Sequence, residues 1–238
     1  MELKFLGRGA AFNPKENNNS AYFIEKNNLF LIDCGETVFK EIIIKDILNN
    51  IENIYVMITH THSDHIGSIG TLASYAYHKM NMKIKIVIPT DPDQSRYLNY
   101  IKNILEATNC VDKYELIKEE ELDNKFRSFK AIRYRKTIHS EMLTCYAILI
   151  NTDNGYIYYS GDSNETSIVE KLISNNEMID KMYFDTTLND SKDSHHLNIN
   201  KLNSVIPNEL KDKVYCMHID SDELIERVKE LNLKIVDY

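Results

Sequence analysis

What this sequence lacks narrows it first. Its four cysteines, Cys34, Cys110, Cys145 and Cys216, lie far apart and form no CxxC pair, which removes a disulfide framework and a thiolate zinc knuckle from consideration. Basic residues are in deficit, with 28 Lys and Arg against 36 Asp and Glu and a net charge of −8. That balance works against a broad electrostatic footprint for extended nucleic acid. A small anion stays compatible, because a bound metal supplies its own local positive charge. The opening Met1–Ala11 lacks the basic, then apolar, then small order of a secretion signal. No apolar run suggests a membrane span, and the few glycines and prolines form neither a linker nor a repeat. These absences lead us to expect a cytoplasmic protein forming a single domain over residues 1–238.

What is present is a chain 43% apolar, enough for a sizeable core. Short runs rich in β-branched and aromatic residues predict strands at Leu3–Leu6, Ala21–Ile24, Leu29–Ile32, Ile54–Ile58, Ile84–Ile88, Leu143–Ile150, Tyr156–Tyr159, Lys181–Phe184 and Val214–Met217. Helical spacing predicts helices over Val38–Leu48, Gly67–Tyr77, Asp93–Ala107, Glu165–Ile173 and Asp222–Leu231, the last capped by Asp220 or Ser221. Paired strands come first in each half and strands alternating with helices follow. The pattern predicts an α/β fold of mixed sheets covered by helices, compatible with an αββα sandwich, and not a purely parallel sheet.

The strand at Ile54–Ile58 runs into Thr59-His60-Thr61-His62-Ser63-Asp64-His65-Ile66-Gly67, which places four metal-ligand side chains within six residues. Residues two apart in extended chain point the same way, so His60 and His62 can grip one ion together. Asp64 and His65, where the chain turns toward a helix, can face a second. Imidazole and carboxylate suit zinc, manganese or iron, and the lack of thiolates argues against a purely structural site. The bland alternative, ordinary surface or capping histidines, does not account for such crowding.

The HxHxDH pattern after a strand resembles the signature of the metallo-β-lactamase superfamily. Membership implies a metallo-β-lactamase fold and two divalent metal ions, zinc first and manganese as the alternative. It also implies further ligands at later strand ends, for which this sequence offers His139, Asp162 and His218. By resemblance His60, His62 and His139 would hold one ion, Asp64, His65 and His218 the other, and Asp162 would bridge. Taken alone, these later residues read as a loop histidine, a turn-former and a strand-end histidine; their order beside the motif favours ligation. Asp33, in Leu31-Ile32-Asp33-Cys34-Gly35-Glu36, matches a residue that orients the ligand loop.

Paired ions about 3.5–4 Å apart make a hydroxide available near neutral pH and clamp the oxygens of an in-line displacement. That chemistry suits phosphodiesters, lactams and thioesters alike. The opening Met1–Ala11, with Pro14 and Asn19-Ser20, resembles ribonuclease Z and its phosphodiesterase relatives. In those relatives an acidic residue after a strand pairs with a later histidine that protonates the leaving oxygen. Asp185 and His196 match these positions, His195 being a rival, and Asp64 completes the expected catalytic set. A solvated loop capping the next helix is the plain alternative for Ser194–Leu197. The chain departs from ribonuclease Z in lacking a basic, glycine-rich arm for tRNA and in carrying Ile219-Asp220-Ser221-Asp222 after the last ligand position. An acidic run there repels a polynucleotide.

The segments Gly7–Pro14 and Asn18–Ala21 resemble the viral anti-Pycsar proteins, a family that hydrolyses cyclic mononucleotides used as bacterial defence signals. The resemblance implies a small nucleotide substrate opened to a nucleoside monophosphate, a homodimer, and a host-cytoplasm setting if the source is viral. A reduced ribonuclease Z and a binder that sequesters a nucleotide without turnover stay as alternatives, with lactam and thioester hydrolysis behind them.

Overall fold

The computed structural model describes residues 1–92, 94–191 and 194–238. Strands β1 (Lys4–Gly7), β2 (Ser20–Glu25), β3 (Asn28–Ile32), β4 (Asn53–Met57), β5 (Ile84–Ile88) and β6 (Tyr114–Lys118) form one sheet in that order. Strands β7 (Ala131–Thr137), β8 (Cys145–Thr152), β9 (Gly155–Tyr159), β10 (Ile179–Asp185), β11 (Val214–Met217) and β12 (Lys234–Ile235) form the other. In each sheet the first three strands pair antiparallel and the rest run parallel. The two halves thus share one architecture without a repeat in sequence, as the succession of paired strands and then strand–helix alternation anticipates.

Helices α1 (Val38–Ile44), α2 (Ser63–Ile66), α3 (Ile69–Met80) and α4 (Gln94–Ala107) belong to the first half, and α5 (Ser167–Ser174), α6 (Ile199–Val205) and α7 (Asp222–Glu230) to the second. Strand alternation divides the apolar residues between two cores. From the second sheet, Tyr146, Ile148, Ile150, Ile157, Tyr159 and Tyr183 join the larger core with the first sheet and with Val38, Leu72, Ala76, Tyr97 and Ile101 of α1, α3 and α4. Their neighbours Ala147, Leu149, Tyr158, Met182 and Phe184 point the other way and pack on Val169, Leu202, Leu224 and Val228 of α5, α6 and α7. Sheets buried on both faces explain why these strands read as nearly unbroken apolar runs. The result is the expected αββα sandwich of two mixed sheets. Among the described residues no helix is long and apolar enough to cross a membrane.

The expected elements are found with shifted ends. The first helix stops at Ile44 and not at Leu48, because Lys45 leaves helical geometry and Asp46 turns left-handed at φ 52°. The strand expected from Leu143 starts at Cys145 and runs on to Thr152. Of the helix expected from Asp93, residue 93 lies outside the described residues and α4 begins at Gln94. Ser221, not Asp220, caps α7, its hydroxyl accepting from the Leu224 amide. Three strands escaped the sequence reading, β6, β7 and β12, and all three are sheet edges. β7 carries Arg133, Arg135 and Lys136 and buries Ile132 and Tyr134, the charged composition of a strand guarded against edge pairing.

Candidate metal centre

The six strand ends that meet at one rim of the sandwich supply the site. β4 is buried along Ile54–Met57, and where it ends the chain stays extended through His62, at φ −67° and ψ 152°. His60 and His62 therefore project together, as the two-residue spacing predicts, with His60 Nε2 3.0 Å from His62 Nδ1. Between them and the strand, Thr59 is the anchor. Its amide and hydroxyl donate to the buried Asp33 carboxylate at 2.7 and 2.9 Å, and its carbonyl accepts from the Tyr146 amide of β8. The Tyr97 hydroxyl adds a 2.6 Å bond to the Ile58 carbonyl. Both sheets thus hold the loop that carries the histidines.

The single-turn helix α2 then presents Asp64 and His65. Its backbone is latched to the loop after β3: Cys34 N donates to His65 O at 2.7 Å and Ser68 N to Cys34 O at 3.0 Å. Gly35 is required here, since a Cβ would stand 1.9 Å from the Asp64 carbonyl oxygen. In the second half, Asp162 follows β9 through Gly161, which turns left-handed at φ 58°. Asp185 ends β10, and His218 follows β11, also left-handed at φ 58°. His139 lies beyond the edge strand β7.

These residues converge as three groups, the third, made of Asp162, Asp185, His196 and His218, overlapping the second. His60, His62 and His139 form the first, with His139 Nε2 3.3 Å from His62 Nδ1. Asp64, His65, Asp162 and His218 form the second. In it His65 Nε2 stands 3.2 Å from Asp64 and 3.3 Å from Asp162, and His218 Nε2 3.4 and 3.2 Å from the same carboxylates. Asp162 Oδ2 also faces His60 at 3.9 Å and His139 at 3.8 Å, so it lies between the first two groups.

Three observations fit this donor set to metal ions. The nitrogen spacings are near the roughly 3.4 Å that about 2.1 Å bonds to a tetrahedral zinc impose on neighbouring ligand atoms. His65 Nε2 and Asp162 Oδ1 are buried without a hydrogen bond, an expense that a cation would offset. Three far nitrogens are held by oxygen: His65 Nδ1 by Asp33 at 2.8 Å, His60 Nδ1 by the Thr59 hydroxyl at 3.1 Å and His139 Nδ1 by the His195 carbonyl at 3.3 Å. Each such bond places the proton on Nδ1 and leaves the Nε2 lone pair for a cation.

Charge in the site follows from the same contacts. Burial would drive protons off His65 and His218, but the facing carboxylates, Asp162 foremost, outweigh it and hold both well above the ordinary histidine range. Burial and neighbouring imidazoles hold His60 well below that range, and burial also lowers His62 and His139. Asp64 and Asp162 stay ionised against burial because protonated histidines face them.

His196 joins only the third group, beside the second, with which that group shares Asp162 and His218. Its Nδ1 is 2.7 Å from Asp185 Oδ2, its ring stacks on His218 at 4.9 Å, and its side chain is 34% exposed. Burial lowers its proton affinity but the Asp185 carboxylate more than restores it, leaving the pKa above the ordinary value. His195 is exposed, its ring edge-on to His139 at 5.8 Å and its carbonyl accepting from His139 Nδ1. Ser160 and Ser163, given no role from sequence, hold Asp185, the Asp185 amide donating to Ser160 Oγ and the Ser163 amide to Asp185 Oδ2. Thr59 was likewise unassigned, its one signal being a polar residue wedged between a buried strand and the first histidine.

Comparison with known proteins places this arrangement. An anti-Pycsar protein Apyc1 of Bacillus phage BSP38 is 29% identical over 235 residues, covering 91% of this chain and 88% of that protein. A ribonuclease Z of Methanococcus aeolicus is 34% identical over 154 residues, covering 63% of this chain and 43% of that enzyme. In fold the chain resembles the metallo-β-lactamase fold protein YhfI of Bacillus subtilis, with a TM-score of 0.69 at 19% identity over 98% of this chain and 94% of that one. The sequence model of the family described as "Anti-Pycsar protein Apyc1" matches residues 1–237. The chain belongs to the anti-Pycsar protein Apyc1 family, which is built on the metallo-β-lactamase fold and related to ribonuclease Z.

Proposed function

We propose that the chain is a metal-dependent phosphodiesterase that opens cyclic mononucleotides to nucleoside monophosphates and so counters a cyclic-nucleotide defence signal. The observation that carries this reading is the Asp185–His196 pair standing against the second ligand group. A closed structural site needs four protein ligands and no proton donor, whereas this one has a partly exposed imidazole held by a buried carboxylate at its edge.

In this reading His60, His62 and His139 would hold one ion and Asp64, His65 and His218 the other, with Asp162 available to both. Zinc suits the donors best, with manganese as the alternative. Such ions supply positive charge to the phosphate oxygens and a nucleophile from water near neutral pH. The protein residues do the rest. Asp64, kept ionised, accepts a hydrogen bond that orients the attacking water. As the ring P–O bond breaks, protonated His196 gives its Nε2 proton to the departing oxygen while Asp185 steadies the imidazole through Nδ1. Water adds to phosphorus and the ring oxygen leaves as a hydroxyl, which balances the step.

A small substrate is favoured over a polynucleotide by the net charge of −8 and by Asp220, which lines the cavity beside His196 and His218. A homodimer belongs to the same reading and is checked by light scattering. The functional test offers zinc-loaded protein a panel of 3′,5′-cyclic mononucleotides and a precursor tRNA. Ring opening with little tRNA cleavage is expected. Preferred cleavage of the tRNA would point to a reduced ribonuclease Z, and stoichiometric loss of free nucleotide without product to a sequestering protein.

A further inference from the structure

Among the described residues the most exposed large apolar side chain is Phe12, which is fully exposed. It does not sit on a loose segment. It crowns a turn in which Asn13 N donates to Ala10 O at 3.0 Å. Ala10 N and Asn13 Nδ2 both donate to the Ile219 carbonyl at 3.0 Å, and Ile219 N donates to Arg8 O at 2.7 Å. Ile219 directly follows His218, so the turn is tied to the chain that carries one candidate ligand. Phe12 lines a cavity of about 300 Å³ together with His196, His218, Thr187, Asn189 and Asp220. A volume of that order suits a small ligand. An aromatic held by these bonds but left in water beside this cavity forgoes burial, and a planar apolar ligand face would recover it.

We propose that Phe12 is the platform on which the base of the nucleotide stacks while its phosphate lies at the candidate metal centre, an inference that rests on the cyclic-nucleotide reading above. A ring face accepts any base, so the contact determines that a base is present and not which base it is. The turn's bonds to Ile219 fix the distance between platform and phosphate site.

The test compares wild type, Phe12→Ala and Phe12→Tyr on four 3′,5′-cyclic mononucleotides and on base-free cyclic ribose phosphate. For Phe12→Ala the preference for base-carrying over base-free substrate, taken as the ratio of kcat/KM values, should fall about tenfold or more. The loss should lie in KM, appear with every base, and be restored by Phe12→Tyr. An unchanged ratio, or equal losses on both substrate types, would overturn the inference while leaving the phosphodiesterase reading intact. No turnover of any cyclic substrate by the wild type would sink that reading, and this inference with it.

Discussion

Asp185 Oδ2 lies 2.7 Å from Nδ1 of His196, with the carboxylate fully buried and the imidazole a third exposed. If His196 is the proton donor, His196→Ala should slow ring opening about a hundredfold or more. A donor works only while protonated, so the rate should hold below its pKa and fall as pH rises through it. Asp185 raises that pKa, so Asp185→Asn should move the fall to lower pH. A kcat–pH profile measures both effects. An unmoved alkaline limb in Asp185→Asn would remove Asp185 from this role, though Asp185 also faces His218, so metal content must be measured alongside.

Asp33 holds His65 Nδ1 at 2.8 Å and Thr59 through two further bonds, all in the buried interior. It touches no ion in the proposed arrangement, yet it orients a ligand. Asp33→Asn should weaken binding at the second group by about 10–100-fold, read by competition with a chelator. Equal affinity in wild type and variant would reduce Asp33 to a folding role.

Both carboxylates, Asp185 and Asp33, were expected from the family resemblance, whereas the polar residues that hold them were not. The cluster from His60 to His65 was plain because its ligands are local and strand geometry alone aims His60 and His62 together. His139, Asp162 and His218 were expected only through the family resemblance, and the structure brings all three to the cluster. His196 could not be separated from His195 until the turn before α6 placed one against Asp185 and left the other exposed. Thr59, Ser160 and Ser163 act on carboxylates 22 to 26 residues away, which leaves no local pattern. The strands missed, β6, β7 and β12, lie at sheet edges, where one face or the flank is solvated and the apolar signal is diluted by charge.

Gly35 is a packing requirement that conformation alone would not disclose. Its missing side chain lets the loop after β3 lie on the Asp64 backbone, where a Cβ would come within 1.9 Å of the carbonyl oxygen. Backbone cannot yield as a flexible side chain would. Gly35→Ala should therefore cost about 1–3 kcal/mol of stability and lower metal occupancy at the second group. Thermal melting and metal analysis check this together, and a variant with wild-type melting and full occupancy would contradict it.

The protons on His65 and His218 predict a linkage. Their pKa values are raised in the ion-free fold, so the stability they contribute is fully present below the unfolded histidine value of about 6.5 and is lost as pH rises through the folded values. An ion bound at the second group would replace those protons. Metal binding near neutral pH should thus release protons, and affinity should weaken as pH falls. Calorimetry in buffers of different ionisation heat measures the release; a buffer-independent heat would mean that both imidazoles are already neutral in the ion-free protein.

The central claim is tested most directly by titrating ion-free protein with zinc while following the conversion of a 3′,5′-cyclic mononucleotide by phosphorus resonance. The account predicts two equivalents bound, nucleoside monophosphate formed in step with loading, and both binding and turnover impaired by His62→Ala and Asp162→Ala. Two ions tightly bound with the cyclic phosphate left intact would contradict it.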